Sequence, residues 1–276
     1  MRLSRLTIYP VKSVHGNDLA ASKTDRFGLE SDRRWAVVYP SGRVATRREL
    51  PRLALLSAVP TQDGISLSYE GTRIEVPFPT GAQGSVKIFN WTVEGVEDAG
   101  NYASHFLSSA LEVGTRLVYF PETGVNEVDP TFAPKGHLTS FSDGFPILLI
   151  TKPSIDELSA EVGEKVDMRR FRSNIVVDGD FEPWAEDTWR VIRIGSTVLR
   201  VVKSCERCVV TTQDPMTGEI ENPREPLASL GRVHRAFNGK IIFGQNLIVE
   251  EEGNMVLGDE VEVLETGPSN LLDPKR

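Results

Sequence analysis

Cysteine is scarce: Cys205 and Cys208 are the only two in 276 residues, and that scarcity excludes whole classes. A secreted disulfide scaffold needs more of them, and an iron–sulfur cluster usually takes about four thiolates. A structural zinc site also wants about four ligands, yet there is no second Cys-x-x-C. The four histidines, His15, His105, His137 and His234, are scattered and read as surface residues with no catalytic assignment. No apolar run approaches the roughly 18 residues of a membrane span, and no apolar segment of signal-peptide type follows Met1. The expectation is a cytoplasmic protein with no membrane partner. A net charge of −8 lacks the basic excess of a general nucleic-acid binder. Internal repeats and low-complexity segments are absent too.

What remains is ordinary globular composition, 39% hydrophobic and 25% charged. The length suits two domains, placed at 1–122 and 123–276, with the Pro- and Gly-broken stretch from Pro121 to Ser142 near the boundary. Short strands are expected at Leu3–Tyr9, at Trp35–Tyr39 turning into Val44–Thr46, and at Leu53–Val59, Ile65–Tyr69, Thr72–Val76, Val86–Val93 and Leu117–Phe120. Further strands are expected at Pro146–Ile150, Ile175–Val177, Asp187–Arg193, Thr197–Val202, Ile241–Val249 and Met255–Leu264. Helical spacing appears only after Asp98 and over Pro153–Val162, while Glu219–Gly231 reads as irregular. The fold class is therefore α+β, mostly β, with two β-barrel-like domains and a few helices.

The chain is organised around Ser204–Gly218, which holds both cysteines. β-Branched runs on either side, Val198–Val202 and Cys208–Thr212, predict two strands joined by a turn at Cys205–Arg207. Cys208 is the candidate metal ligand, because a thiolate suits molybdenum, copper(I), zinc and iron–sulfur clusters. Arg207 beside it favours the ionised form and can hold an anionic cofactor. Two other readings stay open, a pair of small buried residues and a dithiol redox pair. The thioredoxin type of the latter belongs at a strand-to-helix junction, whereas strand formers follow here. Two basic clusters, Arg33-Arg34 with Arg47-Arg48 and Arg169-Arg170 with Arg172, lie at the margins of apolar strands, as does the Lys12-Ser13 pair. Singly these are solvated charges; together they are how a phosphate-clamping rim is assembled. Whether Thr46, Arg47 and Gln245 reach a ligand or merely finish strands is open, and Asp214 reads as an Asp-Pro turn residue.

Five segments in this order resemble a known family: Ile8–Ser13, Asp32–Trp35, Thr46–Leu53, Phe171–Ile175 and Ser204–Gly218. They are similar to MOSC proteins with an amino-terminal MOSC-associated β-barrel domain, the subgroup of the mitochondrial amidoxime-reducing component and its bacterial relatives. The resemblance implies a molybdenum cofactor, a pterin dithiolene with a terminal phosphate, in a cleft between the two domains. It implies Cys208 as the molybdenum ligand, Cys205 as a less essential neighbour, and Lys12, Ser13, Arg33, Arg172, Asn174 and Arg207 as cofactor contacts. Both basic clusters, Arg47 included, then serve one anionic ligand. The implied activity is reduction of small N-hydroxylated compounds (amidoximes, hydroxylamines, N-hydroxylated bases) by a monomer. The alternatives are a molybdenum-cofactor carrier or a sulfur- or oxo-transfer protein. Glu206 departs from the small or hydroxyl residue common in relatives, which separates substrate preference from the resemblance. No ferredoxin domain or amino-terminal anchor is read in the sequence, so the expected donor is a separate ferredoxin-, flavin- or cytochrome b5-type protein.

Overall fold

The computed structural model describes residues 1–81, 83–235 and 238–271. The continuous apolar run before Lys152 forms the strand Ile147–Thr151, buried at all five positions, and it lies inside an eight-stranded sheet. Ile175–Asp178 runs parallel to it on one side and Ile242–Glu251 antiparallel on the other. The helix Lys152–Val162 provides the crossover that a parallel pair requires. One face of the sheet buries Leu3, Leu6, Leu149, Leu199 and Leu247. The other packs Ile150, Val176 and Phe243 against Ile155 and Leu158 of that helix. A run covered on both faces has no reason to alternate, which is why it reads as unbroken hydrophobicity.

The chain's first strand, Arg2–Ile8, belongs to this same sheet and pairs antiparallel with Ile175–Asp178. A cut at 122/123 in sequence thus leaves that strand hydrogen-bonded across it. From Trp35 onward the first half forms a four-stranded sheet of Trp35–Val38, Arg116–Tyr119, Trp91–Asp98 and Gln83–Ile88, and the meander Ser57–Thr61, Gly64–Tyr69 and Thr72–Pro77. The helix Gly100–Leu111 closes the core with Ala103 and Leu107 against Trp35, Val37, Ile65 and Leu117. Asp98 accepts from the Gly100 amide at 2.8 Å. The mostly-β expectation holds, and no helix among the described residues is long and apolar enough to cross a membrane.

Several elements differ from expectation, each for a local reason. Trp35–Val38 pairs with Arg116–Tyr119, and Val44 contributes only a single bridge to Val38. The residues before Leu56 form the 3-10 helix Pro51–Leu55, because proline presets φ and gives up an amide that a first turn leaves unpaired. Val86–Val93 is two strands, turning at Phe89-Asn90 so that Ile88 faces Trp91. Leu227–Val233, inside the supposedly irregular segment, is helical because Leu230 finds a fully buried site.

His234, expected at the surface, is 3% exposed. It donates from Nδ1 to the Ile242 carbonyl and from Nε2 to Asp187, both at 2.8 Å, and stacks on Trp184. Both ring nitrogens face acceptors, an arrangement that favours the protonated ring. Burial opposes that charge, but Asp187 and the Ile242 carbonyl outweigh it and leave the pKa raised. Next to this pair, Glu186 is buried and accepts from Thr151 Oγ1 at 3.0 Å and Ser154 Oγ at 2.9 Å. Burial lifts its pKa from the ordinary 4.5 to about 7. A carboxyl that holds its proton more tightly when folded makes folding strongest below its unfolded pKa, and stability falls as pH rises toward the folded one. The window of 4.5 to about 7 corresponds to a decline of about 3 kcal/mol. Glu186→Gln is expected to flatten that decline in urea unfolding curves recorded at about pH 5 and pH 8. An unchanged slope in the variant would assign the decline to other groups.

Candidate functional site

The site is built where the first strand ends. Pro10 stops the strand, yet the chain stays docked: Lys12 N donates to the Trp35 carbonyl at 2.8 Å and Trp35 N to Pro10 O at 3.0 Å. Lys12-Ser13 is thereby laid beside Asp32-Arg33. The second half contributes Arg172 and Asn174, between the 3-10 helix Met168–Phe171 and the strand Ile175–Asp178. Arg207 and Cys208 follow the end of the strand Thr197–Glu206. Three of these residues, Ser13, Arg33 and Arg172, have left-handed backbone (φ 67°, 50° and 55°). That region is costly for side-chain-bearing residues and tends to gather at functional sites.

All eight sequence-selected residues, Lys12, Ser13, Arg33, Arg47, Arg172, Asn174, Arg207 and Cys208, line one cavity of about 490 Å³. Six arginines and two lysines face it, against two carboxylates, Asp143 and Glu206. Two of the cations are buried, Lys12 at 5% and Arg47 at 3% exposed, and all the others but exposed Arg48 are half-buried. Arg33 pairs with Asp32, donates to Asn174 Oδ1 at 3.1 Å, and shares the Tyr9 ring with Arg172, at 4.8 and 4.2 Å from its centroid. Asn174 is fixed in turn by donating to Thr7 O and accepting from Leu148 N, each at 3.1 Å. Arg47 donates to the carbonyls of Ser13 at 2.7 Å and Pro215 at 3.1 Å.

The electrostatics of this wall are unbalanced. Burial pushes Arg172 down to about 9, with Arg47 nearby adding to the effect, and burial pushes Arg47 down to about 10. Both stay charged near neutrality, so they are cations short of an anion. Burial likewise lowers Lys12, although Asp143, to which its ammonium is hydrogen-bonded, pulls the other way. Asp143 itself is 66% exposed at its side chain, so water screens that pair and leaves it little weight in stability. Most telling are Arg172 Nη2 and Arg207 Nε, buried donors with no hydrogen-bond partner among the described residues. Orphaned buried donors are rare and costly, at about 1–3 kcal/mol each.

The cysteine segment folds differently from its expected strand–turn–strand. The strand runs on through Glu206, and Val209–Thr212 is a 3-10 turn headed by Cys208. Buried Thr211 holds this turn by donating to the Cys208 carbonyl from N at 3.1 Å and Oγ1 at 2.9 Å. β-Branched composition suggested a strand, but the Thr hydroxyls satisfy local carbonyls and favour the turn. Arg207 donates from Nη1 to Cys205 Sγ at 3.0 Å and from Nη2 to Phe171 O at 2.7 Å. Arg48 lines the same cavity as Cys208, and the neighbouring thiol raises its guanidinium pKa.

Of the positions left open, Thr46 and Arg47 face the cavity, whereas Gln245 is buried behind it, donating to Asp187 at 2.7 Å. Asp214 accepts from the amides of Met216 and Thr217, both at 2.8 Å, and is a turn residue. Sequence reasoning assigned no site role to Arg48, Asp143, Asn246 or the aromatic residues Phe89 and Trp91, all of which line the cavity. Arg48 alone carried a signal, its place in a basic cluster.

The chain matches known families over most of its length. The MOSC N-terminal beta barrel domain matches residues 1–114 and the MOSC domain residues 137–262. The chain is 32% identical over 282 residues to mitochondrial amidoxime-reducing component 1 of Homo sapiens, covering 95% of this chain and 82% of that one. It is 31% identical to mitochondrial amidoxime reducing component 2 of Bos taurus, covering 94% and 82%. This chain belongs to the MOSC family, as a MOSC-domain protein carrying the MOSC N-terminal beta barrel domain.

Proposed function

We propose that the cavity binds a molybdenum cofactor and that the protein reduces N-hydroxylated compounds with electrons from a separate donor protein. The observation that carries this reading is the pair of orphaned donors, Arg172 Nη2 and Arg207 Nε, on the same cavity as Cys208. Such donors fit a multiply charged oxyanion such as the phosphate of a pterin cofactor, to which guanidinium groups make strong charge-assisted bonds. The donor set agrees. No group of three or more His, Cys, Asp or Glu that could hold a metal occurs among the described residues. A metal beside the Cys208 thiolate would therefore take its other ligands from a bound group, as from a dithiolene.

When bound, the cofactor supplies a metal able to exchange oxygen in two-electron steps. The chain's own residues do the rest. Cys208 offers one soft ligand, while Arg33, Arg47, Arg172 and Lys12 hold negative charge. Asn174, Ser13 and the fixed Tyr9 ring orient that wall. The net reaction is R–NHOH + 2 e⁻ + 2 H⁺ → R–NH₂ + H₂O, or its amidoxime counterpart. Both cysteines stand on the cavity, which leaves none in this sequence for an iron–sulfur cluster and supports an external ferredoxin-, flavin- or cytochrome b5-type donor. The relatives' name, amidoxime-reducing component, supports the substrate class.

The test is molybdenum and pterin content after expression in a host that makes the cofactor. Near-equimolar metal and pterin are expected in the wild type. Arg172→Ala should lower retention by about tenfold or more, since a charge-assisted contact contributes about 1.5–3 kcal/mol. Folded wild-type protein free of both would defeat the reading.

A further inference from the structure

We infer that the hairpin tip Phe89-Asn90, with Trp91, is the substrate-facing wall of the cavity and selects planar aromatic N-hydroxylated molecules over aliphatic ones. This rests on the N-reductive reading above and names the substrate class for the same site. The strands Gln83–Ile88 and Trp91–Asp98 are joined by two residues, with Ile88 opposite Trp91. Phe89 occupies the first loop position at φ 51°. Two-residue hairpin loops place Gly, Asn or Asp at such left-handed positions, and a bulky ring there is an outlier.

Nothing in the packing asks for that ring. Val86, Ile88 and Val93 of the same hairpin are buried, whereas Phe89 is 46% exposed and meets Trp91 at 5.6 Å between centroids. It nevertheless lines the cavity. Its position relative to the chemistry is fixed by two cations: the Arg48 guanidinium lies 5.1 Å and Lys12 Nζ 5.9 Å from its centroid. Arg48 and Cys208 line the same cavity, so the exposed ring stands on the wall that carries the proposed metal ligand.

The cavity therefore has two ends. Around Tyr9 it is buried and cationic, with the orphaned Arg172 donor. At the hairpin it is open and aromatic, with Arg48 and Lys12 near the Phe89 ring and the carboxylate of Asp143 beside Lys12. An anionic cofactor belongs at the first end. The second fits a flat, uncharged or weakly basic ring, such as an aryl amidoxime or an N-hydroxylated heterocyclic base, stacked on Phe89 and Trp91 with its N–OH toward Cys208.

The test compares kcat/KM for benzamidoxime and acetamidoxime in the holoenzyme. Phe89→Ala and Trp91→Ala should each lower the benzamidoxime-to-acetamidoxime ratio about tenfold, the rate equivalent of about 1.4 kcal/mol. A second readout needs no turnover: benzamidoxime added without electron donor should quench tryptophan fluorescence, and Trp91→Phe should remove the quench. An unchanged substrate ratio with activity intact overturns the wall and leaves N-reduction standing. Loss of molybdenum and pterin from Phe89→Ala also overturns it, by giving the ring to the cofactor. Benzamidoxime binding through Trp91, in a wild type that reduces neither compound, keeps the wall and removes the N-reductive reading.

Discussion

Cys208→Ser is expected to reduce benzamidoxime at least about 100-fold more slowly than the wild type, because even residues behind the metal ligands typically cost 10–100-fold when changed and a ligand should cost no less. The structure explains why this loss should come without unfolding. Cys208 heads the Val209–Thr212 turn through its backbone carbonyl, and its side chain makes no capping bond. Serine can take the same backbone conformation, so stability should stay within about 0.5 kcal/mol of wild type. The measurement is the turnover of freshly loaded protein with an artificial reductant, alongside its thermal transition. Wild-type turnover in the variant would remove Cys208 from the reaction.

Cys205→Ser sharpens the reading. The Cys205 sulfur accepts from Arg207 at 3.0 Å, and a serine oxygen can accept from the same guanidinium, so this variant should lose only several-fold, about 1 kcal/mol for one altered hydrogen bond. A dithiol redox pair would make the two substitutions equally damaging and molybdenum irrelevant. That alternative was set aside partly because strand formers follow Cys208, and the 3-10 turn found there withdraws that ground. Geometry bears on it through Cys205, whose sulfur accepts from Arg207 at 3.0 Å, and the comparison of the two serine variants decides between the readings. A carrier that merely holds the cofactor would show Cys208→Ser mainly as altered retention, with no turnover to lose.

How much was legible depended on whether the signal was local. The buried strand Ile147–Thr151, the hairpin from Gly64 to Pro77 and the helix after Asp98 follow from periodicity, because their partners are near in sequence or their burial is complete. The eight cavity residues were legible for a different reason. Lys12, Arg33, Arg47 and Arg172 stood out as basic groups at expected strand margins and Cys208 as a thiol, while the resemblance implied Ser13, Asn174 and Arg207; all eight meet on one cleft. What could not be read was pairing across long separations. Trp35–Val38 takes a partner some eighty residues on, at Arg116–Tyr119, in place of the adjacent Val44. His234 is buried because Asp187, forty-seven positions away, supplies an anion for it. Phe89 could not be placed from sequence, since a phenylalanine in a β-rich stretch reads as a strand residue, and only the turn turns its ring to the cavity.

Asp32→Ala should cost about 3–5 kcal/mol of folding free energy, the range for removing one partner of a buried pair. Asp32 is 1% exposed and serves two groups. One carboxylate oxygen accepts the Tyr9 amide at 2.7 Å, and the other pairs with Arg33. Alanine would orphan that amide just where the first strand leaves the large sheet. It would also leave the Arg33 guanidinium, 13% exposed, beside Arg172 on the same ring with no counter-ion. Asp32→Asn separates the two losses: it keeps a carbonyl for Tyr9 and removes only the charge, so it should cost less than alanine. Urea unfolding of both variants measures the difference, and an alanine variant within 1 kcal/mol of wild type would show that Arg33 finds its compensation elsewhere. The same pair ties fold to site. With Asp32 gone, Arg33 becomes a further cation short of an anion on the cavity wall, so millimolar phosphate should stabilise Asp32→Ala more than it stabilises the wild type, by preferential binding to the folded state. Equal stabilisation of both proteins would mean that Arg33 does not face the anion, and that Asp32 holds the fold without shaping the charge of the cleft.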